Sequence, residues 1–285
     1  LEETPERYLS MDVVKQKWNI SPATLKTMQQ DGVITVISKE RYRTAGVYDY
    51  KENFQITLNN EQQAVVDEVT GDMEQGRQKT YLLHGITGSG KTEVYVKIVK
   101  KTIEMGKQAI ILIPEIALTY QTVRYFRNYF GDRVTIINSR LSDGEKYDQF
   151  MRAKNGDVDV VIGPRSALFA PFQNLGIIII DEEHDSSYKS ESVPKYDAKE
   201  IAKKIAKENN CPLVLGSATP DLTTYYKAQQ GEITLLALTK RANNSKLPSV
   251  DVVDLKMELA NGNRSMLSYK LHDAIQKNLE EKRQT

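Results

Sequence analysis

The sequence predicts an α/β fold: a parallel sheet with helices on both faces, preceded by a small separate unit. Three observations lead there. From Leu58 onward, short apolar runs such as residues 177–180 alternate with helical stretches, as strands buried on both faces do. A glycine-rich run from Gly85 to Thr92 lies between a strand pattern and a helix pattern. An apolar strand ends abruptly in four ionisable residues, Asp181-Glu182-Glu183-His184.

The N-terminal unit comes first. Residues 10–18 suit a short helix. Ser21-Pro22 opens another, with serine as cap and proline at the first helical position; it runs to about Gln30, and Asp31-Gly32 ends it. Val33, Ile34, Val36 and Ile37 are β-prone. Two short helices, a strand and a polar turn suggest a winged helix-turn-helix over residues 1–55. DNA binding is one reading of this unit; a docking or spacer role is the other. Eight acids balance eight bases over residues 1–53, so counting charges gives no basic face.

The larger unit, residues 56–240, follows as strands and helices in turn. Strands are expected at 80–84, 108–113, 134–138, 158–162, 177–180 and 213–215. Helices are expected at 92–101, 117–130 and 197–208. Ser142 opens a further helix with a capping box to Glu145. After Thr239 the alternation weakens. Residues 240–248 read as a linker, 250–253 as one more strand and 267–282 as a helix, so residues 241–285 form a linker and the start of another unit.

Composition narrows the class without naming a function. The chain has 285 residues, 40% hydrophobic and 27% charged, an ordinary globular balance. No apolar run approaches the roughly 20 residues of a membrane span, and residues 1–7 do not form a signal peptide. The single cysteine, Cys211, rules out an internal disulfide and reads as a buried core thiol. No membrane partner and a cytoplasmic location are therefore expected. The net charge of +1 implies that any nucleic-acid contact uses a local groove rather than a globally basic surface.

Two motifs carry chemistry. Gly85-Ile86-Thr87-Gly88-Ser89-Gly90-Lys91-Thr92 fits the phosphate-loop pattern and stands where its mechanism needs it, after a strand and before a helix. Gly85, Gly88 and Gly90 let the backbone wrap round phosphates, and Thr87 and Ser89 complete the cradle. The loop N–H groups and the helix N-terminus supply partial positive charge. Lys91 is expected to reach the β- and γ-phosphates of ATP, and the Thr92 hydroxyl to ligate Mg²⁺. In the acidic motif, Asp181 is the second candidate Mg²⁺ ligand, and Glu182 the group that orients and activates water. His184 reads either as a coupling residue or as a structural histidine.

Leu215-Gly216-Ser217-Ala218-Thr219-Pro220 follows another strand. Ser-Ala-Thr after an acidic box resembles motif III of superfamily 2 helicases, although the same residues also suit an N-capped helix start. Ile113-Pro114-Glu115-Ile116-Ala117-Leu118-Thr119 looks like motif Ia, and Ile162-Gly163-Pro164-Arg165-Ser166-Ala167-Leu168-Phe169-Ala170-Pro171 like motif Ib. Residues 58–62 resemble the glutamine segment that reads adenine in related motors, with Gln62 on the base. The run Asp181-Glu182-Glu183-His184-Asp185-Ser186-Ser187-Tyr188-Lys189 is very similar to the PriA family of primosomal replication-restart helicases.

This resemblance implies a winged helix followed by a RecA-like motor lobe. It implies a 3′→5′ ATP-dependent DNA helicase acting on single-stranded and forked DNA, with primosome and single-strand-binding proteins as partners. Zinc is expected only in the family's second lobe, outside this chain, which would stop at that lobe's entrance and so bind ATP weakly without unwinding DNA. DNA coupling would fall to Arg165, Ser166, His184, Tyr188, Lys189, Ser217 and Thr219. Within that set, Tyr188, like Tyr196, belongs to an aromatic-rich loop or to ordinary packing. Another superfamily 2 repair translocase, or a non-catalytic docking fragment, are the alternatives. The sequence departs from the family at Asp197 and Lys199, where His and Arg are usual, at Asn138 and Arg140, where His and Gly are usual, and at Pro164. These positions concern DNA coupling rather than nucleotide chemistry.

Overall fold

The computed structural model describes Val14 and residues 17–37, 57–242 and 249–283. In the N-terminal unit, helix α1 (Pro22–Gln30) begins as expected. Ser21 Oγ accepts from the Thr24 N–H, and Pro22 occupies the first turn. The strand expected at 33–37 is not formed among the described residues. The Val33 and Ile34 N–H groups both donate to the carbonyl of Met28, which folds this segment back onto the end of α1. Most of the expected first helix, and residues 38–56, lie outside the described residues.

Seven strands form one all-parallel sheet: β1 (Thr80–Gly85), β2 (Gln108–Leu112), β3 (Val134–Ile136), β4 (Val160–Gly163), β5 (Leu175–Ile180), β6 (Leu213–Ser217) and β7 (Thr234–Leu238). Their order is β3-β4-β2-β5-β6-β1-β7. Consecutive apolar residues alternate between the two faces. Tyr81, Leu83, Ile177, Ile179 and Val214 meet helices α2 (Asn60–Glu74), α3 (Lys91–Glu104) and α4 (Tyr120–Phe130). Leu82, Ile178, Ile180, Leu213 and Leu215 meet α5 (Asp143–Asn155), α6 (Ala198–Glu208) and α7 (Leu222–Gln229). Every residue of β5 is buried, and each isoleucine contributes about 1.5–3 kcal/mol relative to exposure. Ala198, Ala202 and Ala206 repeat every four residues, so α6 lies close against the sheet. Cys211 is buried in the same layer, and burial pushes its thiol pKa up to about 12.

Several boundaries differ from the sequence reading. The helix expected from residue 117 is a 3-10 turn at Glu115–Ala117 followed by α4 from Tyr120, because the Thr119 hydroxyl caps the Thr122 N–H and restarts the helix there. Residues 250–253 pair with no strand among the described residues and lead into α8 (Leu255–Ala260); α9 (Tyr269–Glu280) is the expected last helix. Helix α2 and edge strand β7 were not expected, and α7 begins at Leu222 behind an Asp221 cap rather than at the helix start read at residues 217–220. No helix among the described residues is long and apolar enough to cross a membrane.

Parallel register brings the C-terminal ends of β1, β5 and β6 to one edge, with β6 between the other two. The chain leaving β7 crosses this edge. The Thr239 N–H and hydroxyl both donate to the Glu61 carboxylate, and the Ala242 N–H donates to the carbonyl of Gly88.

Candidate active site

The phosphate loop lies between β1 and α3. Gly88 (φ +78°) and Gly90 (φ +83°) take the left-handed conformation that glycine adopts without a Cβ penalty. A Cβ on Gly90 would also come within 2.1 Å of Gln62 Nε2. Lys91 Nζ donates to the Gly85 carbonyl (3.1 Å). Thr92 follows in the first turn of α3, and Thr87 is exposed. Gln62, expected at the adenine base, is buried. Its Nε2 donates to the carbonyl of Ser89 (2.9 Å) and its Oε1 accepts from the Asn59 N–H (2.8 Å), so the glutamine braces the loop.

The acidic motif follows β5. Asp181 is partly buried, and its pKa is raised to about 6 by loss of water and then by repulsion from Glu182, against the stabilising Tyr95 hydroxyl and Lys91. The Tyr95 hydroxyl donates to Asp181 Oδ1 (3.0 Å). Glu182 has positive φ (+46°), an uncommon backbone for a non-glycine residue at a strand end, and its carboxylate lies 3.7 Å from His184 Nδ1. His184 Nδ1 and Ser217 Oγ are hydrogen-bonded at 2.8 Å, and Ser217 Oγ also accepts from the Thr219 N–H. The histidine and the Ser-Ala-Thr turn, read as separate motifs, are thus in direct contact.

Glu183, quoted within the motif but given no role by the sequence, is fully buried. Its carboxylate accepts from Lys199 Nζ (2.8 Å), the Thr224 hydroxyl (3.1 Å) and the Asp221 N–H (2.7 Å), and its own N–H donates to the Gly216 carbonyl. Lys199 also contacts Asp221 at 3.3 Å. Burial works against the lysine's charge, but the Glu183 and Asp221 carboxylates outweigh it and raise the pKa. The residue that departs from the family pattern therefore closes a buried ion cluster beneath the acidic motif.

Tyr188, read either as part of an aromatic-rich DNA-coupling loop or as ordinary packing, is buried. Its hydroxyl donates to the carbonyls of Asp181 (2.6 Å) and Leu112 (3.1 Å), tying the loop after β5 to the ends of β5 and β2. Tyr196 packs edge-on against Phe169 at 5.4 Å. Arg165 donates to the carbonyls of Ser187 and Lys189, so it holds the same loop from outside. Ser166, Lys189 and Thr219 are exposed. Tyr95 was not anticipated, though its place one turn after Lys91 on α3 was the available signal.

The residues fit an Mg²⁺-bound nucleoside triphosphate. Ser89 Oγ is buried in the loop with no hydrogen-bond partner, a polar atom that a phosphate oxygen would satisfy. The Thr92 hydroxyl and Asp181 are oxygen ligands of the kind Mg²⁺ takes.

Comparison with known proteins agrees with this geometry. A family model described as "Type III restriction enzyme, res subunit" matches residues 55–222, more than half of the chain. Replication restart protein PriA of Bacillus subtilis is 45% identical over 267 residues, covering 93% of this chain and 33% of that protein. The PriA of Chlamydia trachomatis is 43% identical over 204 residues, covering 71% and 27%. The chain thus spans about a third or less of these relatives' own length. Among solved structures, RecG bound to a three-way DNA junction matches with a TM-score of 0.50 and 26% identity, over 68% of this chain and 25% of that one. The lobe is a RecA-like α/β fold, its sequence is similar to the PriA replication restart proteins, and the chain belongs to the family described as the type III restriction enzyme res subunit.

Proposed function

We propose that residues 56–240 are the first ATP-binding lobe of a replication-restart DNA helicase, with residues 1–55 a winged-helix unit and 241–285 the start of a second lobe. The carrying observation is that three motifs gather at one sheet edge: the phosphate loop, whose helix reaches Asp181 through Tyr95, the acidic motif, and the Ser-Ala-Thr turn that His184 joins to it through Ser217. Similarity to the PriA proteins supports a role at single-stranded and forked DNA, 3′→5′ movement, primosome and single-strand-binding partners, and a cytoplasmic location.

Each residue has a task in this reading. Lys91 and the loop N–H groups bind the β- and γ-phosphates and offset the charge that builds on the transferred phosphoryl oxygens. When bound, Mg²⁺ supplies further charge neutralisation there, and Thr92 and Asp181 would hold it. Glu182 orients the attacking water and accepts its proton. Gln62 and Glu61 hold the loop and its flank in shape. His184, Ser217 and Thr219 carry the state of the acidic motif to the β6–α7 turn, and Arg165 and Ser166 face the strand track.

Calorimetry with ATP and Mg²⁺ tests this, using the chain and its Lys91→Ala variant with and without a single-stranded oligonucleotide. Saturable ATP binding that is lost in the variant, with an affinity that the oligonucleotide changes, is expected. Equal binding by both proteins would show that the loop is not a nucleotide site; binding by neither would show that the site needs the second lobe.

A further inference from the structure

We propose that Tyr95 is a positioning residue for Asp181: its hydroxyl fixes the orientation of the carboxylate that holds Mg²⁺. The inference rests on the nucleotide reading above and extends it to a residue outside the motifs. Tyr95 lies one turn after Lys91 on α3, so the helix that carries the phosphate loop also carries the phenol. The side chain is fully buried, and its hydroxyl reaches Asp181 Oδ1 at 3.0 Å.

The path of that contact is specific. Strand β6 lies between β1 and β5, and the phenol crosses it at Gly216. A Cβ on Gly216 would stand 1.7 Å from Tyr95 Oη. The glycine of the Gly-Ser-Ala-Thr run is therefore the opening through which one helix reaches the carboxylate of another strand. Packing alone accounts for the ring. It does not account for a hydroxyl aimed at the one carboxylate assigned to Mg²⁺, where an outer partner sets ligand orientation.

The test is the Mg²⁺ dependence of nucleotide binding, with no turnover involved. A fluorescent ATP analogue is titrated with Mg²⁺ against the wild type, Asp181→Asn and Tyr95→Phe. Tyr95→Phe should need about tenfold more Mg²⁺ at half-saturation, with unchanged affinity for the analogue in EDTA. Gly216→Ala is the second variant, since it keeps the hydroxyl but drives it off Asp181, and the same shift is expected. Wild-type Mg²⁺ midpoints in both variants, while Asp181→Asn shifts, would overturn the Tyr95 proposal alone. If wild-type binding ignores Mg²⁺ and Asp181→Asn changes nothing, the nucleotide reading falls and this proposal with it.

Discussion

Glu183 directly follows two acids with proposed chemical tasks, yet its own carboxylate is wholly consumed by protein donors. Its environment makes Lys199 the cluster's weak point. Truncating the lysine would leave a carboxylate with no exposed surface and no counter-charge of its own. Lys199→Ala should therefore cost about 3–5 kcal/mol of stability, read as a lowered urea midpoint. The double replacement Glu183→Leu with Lys199→Met should recover much of that loss, since it removes both charges together. A single variant as stable as the wild type would mean that water reaches the pair. The sequence displayed Asp181 and Glu182 because their roles follow from position in a motif. Glu183, Lys199 and Asp221 were illegible in those terms, because their meaning lies in contacts across 16 and 38 positions of chain. Tyr188 stayed open between two readings for a related reason: that its ring packs inward depends on a hydroxyl reaching two strand ends, a contact the sequence does not record.

Elements with local signals were the readable ones. Helix α5 has both halves of its capping box: the Ser142 hydroxyl accepts from the Glu145 N–H, and the Glu145 carboxylate accepts from the Ser142 N–H. Ser142→Ala should lower stability by about 1 kcal/mol, measured by thermal unfolding, with nucleotide affinity unchanged. Strands β2, β4 and β5 were legible as apolar runs because they are buried on both faces. Edge strand β7 is not. Leu235 and Ala237 face outward there, so Thr234–Leu238 lacks the uniform apolar signal of its neighbours. Residues 250–253 show the reverse error, β-prone by composition yet with nothing to pair with among the described residues. Helix α4 was misplaced at its start because Thr119, a cap, was read as helix interior.

At the scale of the whole molecule, one buried carboxylate far from the phosphate loop ties acid stability to the fold. Asp72, near the end of α2, accepts from the Tyr81 hydroxyl of β1 and pairs with Arg77 and Lys79. Burial would raise its pKa, but the Lys79 ammonium, the Tyr81 hydroxyl and then Arg77 outweigh that and lower it below 3.8. A carboxyl depressed on folding stabilises the native state above its unfolded pKa, and the contribution fades as pH falls through the folded value. The stability gap between the wild type and Asp72→Asn should therefore be full near neutral pH and narrow below about pH 4. Urea midpoints at a series of pH values decide it, and a gap independent of pH would contradict the assignment. The parallel sheet was foreseen from the alternating pattern. The strand order was not, because which strands neighbour one another depends on crossovers that no local pattern records.

The tail leaving β7 is fastened to Glu61 through Thr239 and to the Gly88 carbonyl through Ala242. That gives the molecule a built-in reporter position. A small fluorophore or spin label on residue 242 would ride on the backbone of the phosphate loop while leaving Lys91, Thr92 and both acids chemically untouched. Any rearrangement of the loop would register there as a change in distance or mobility, so the loop can be watched from a point that takes no part in its chemistry.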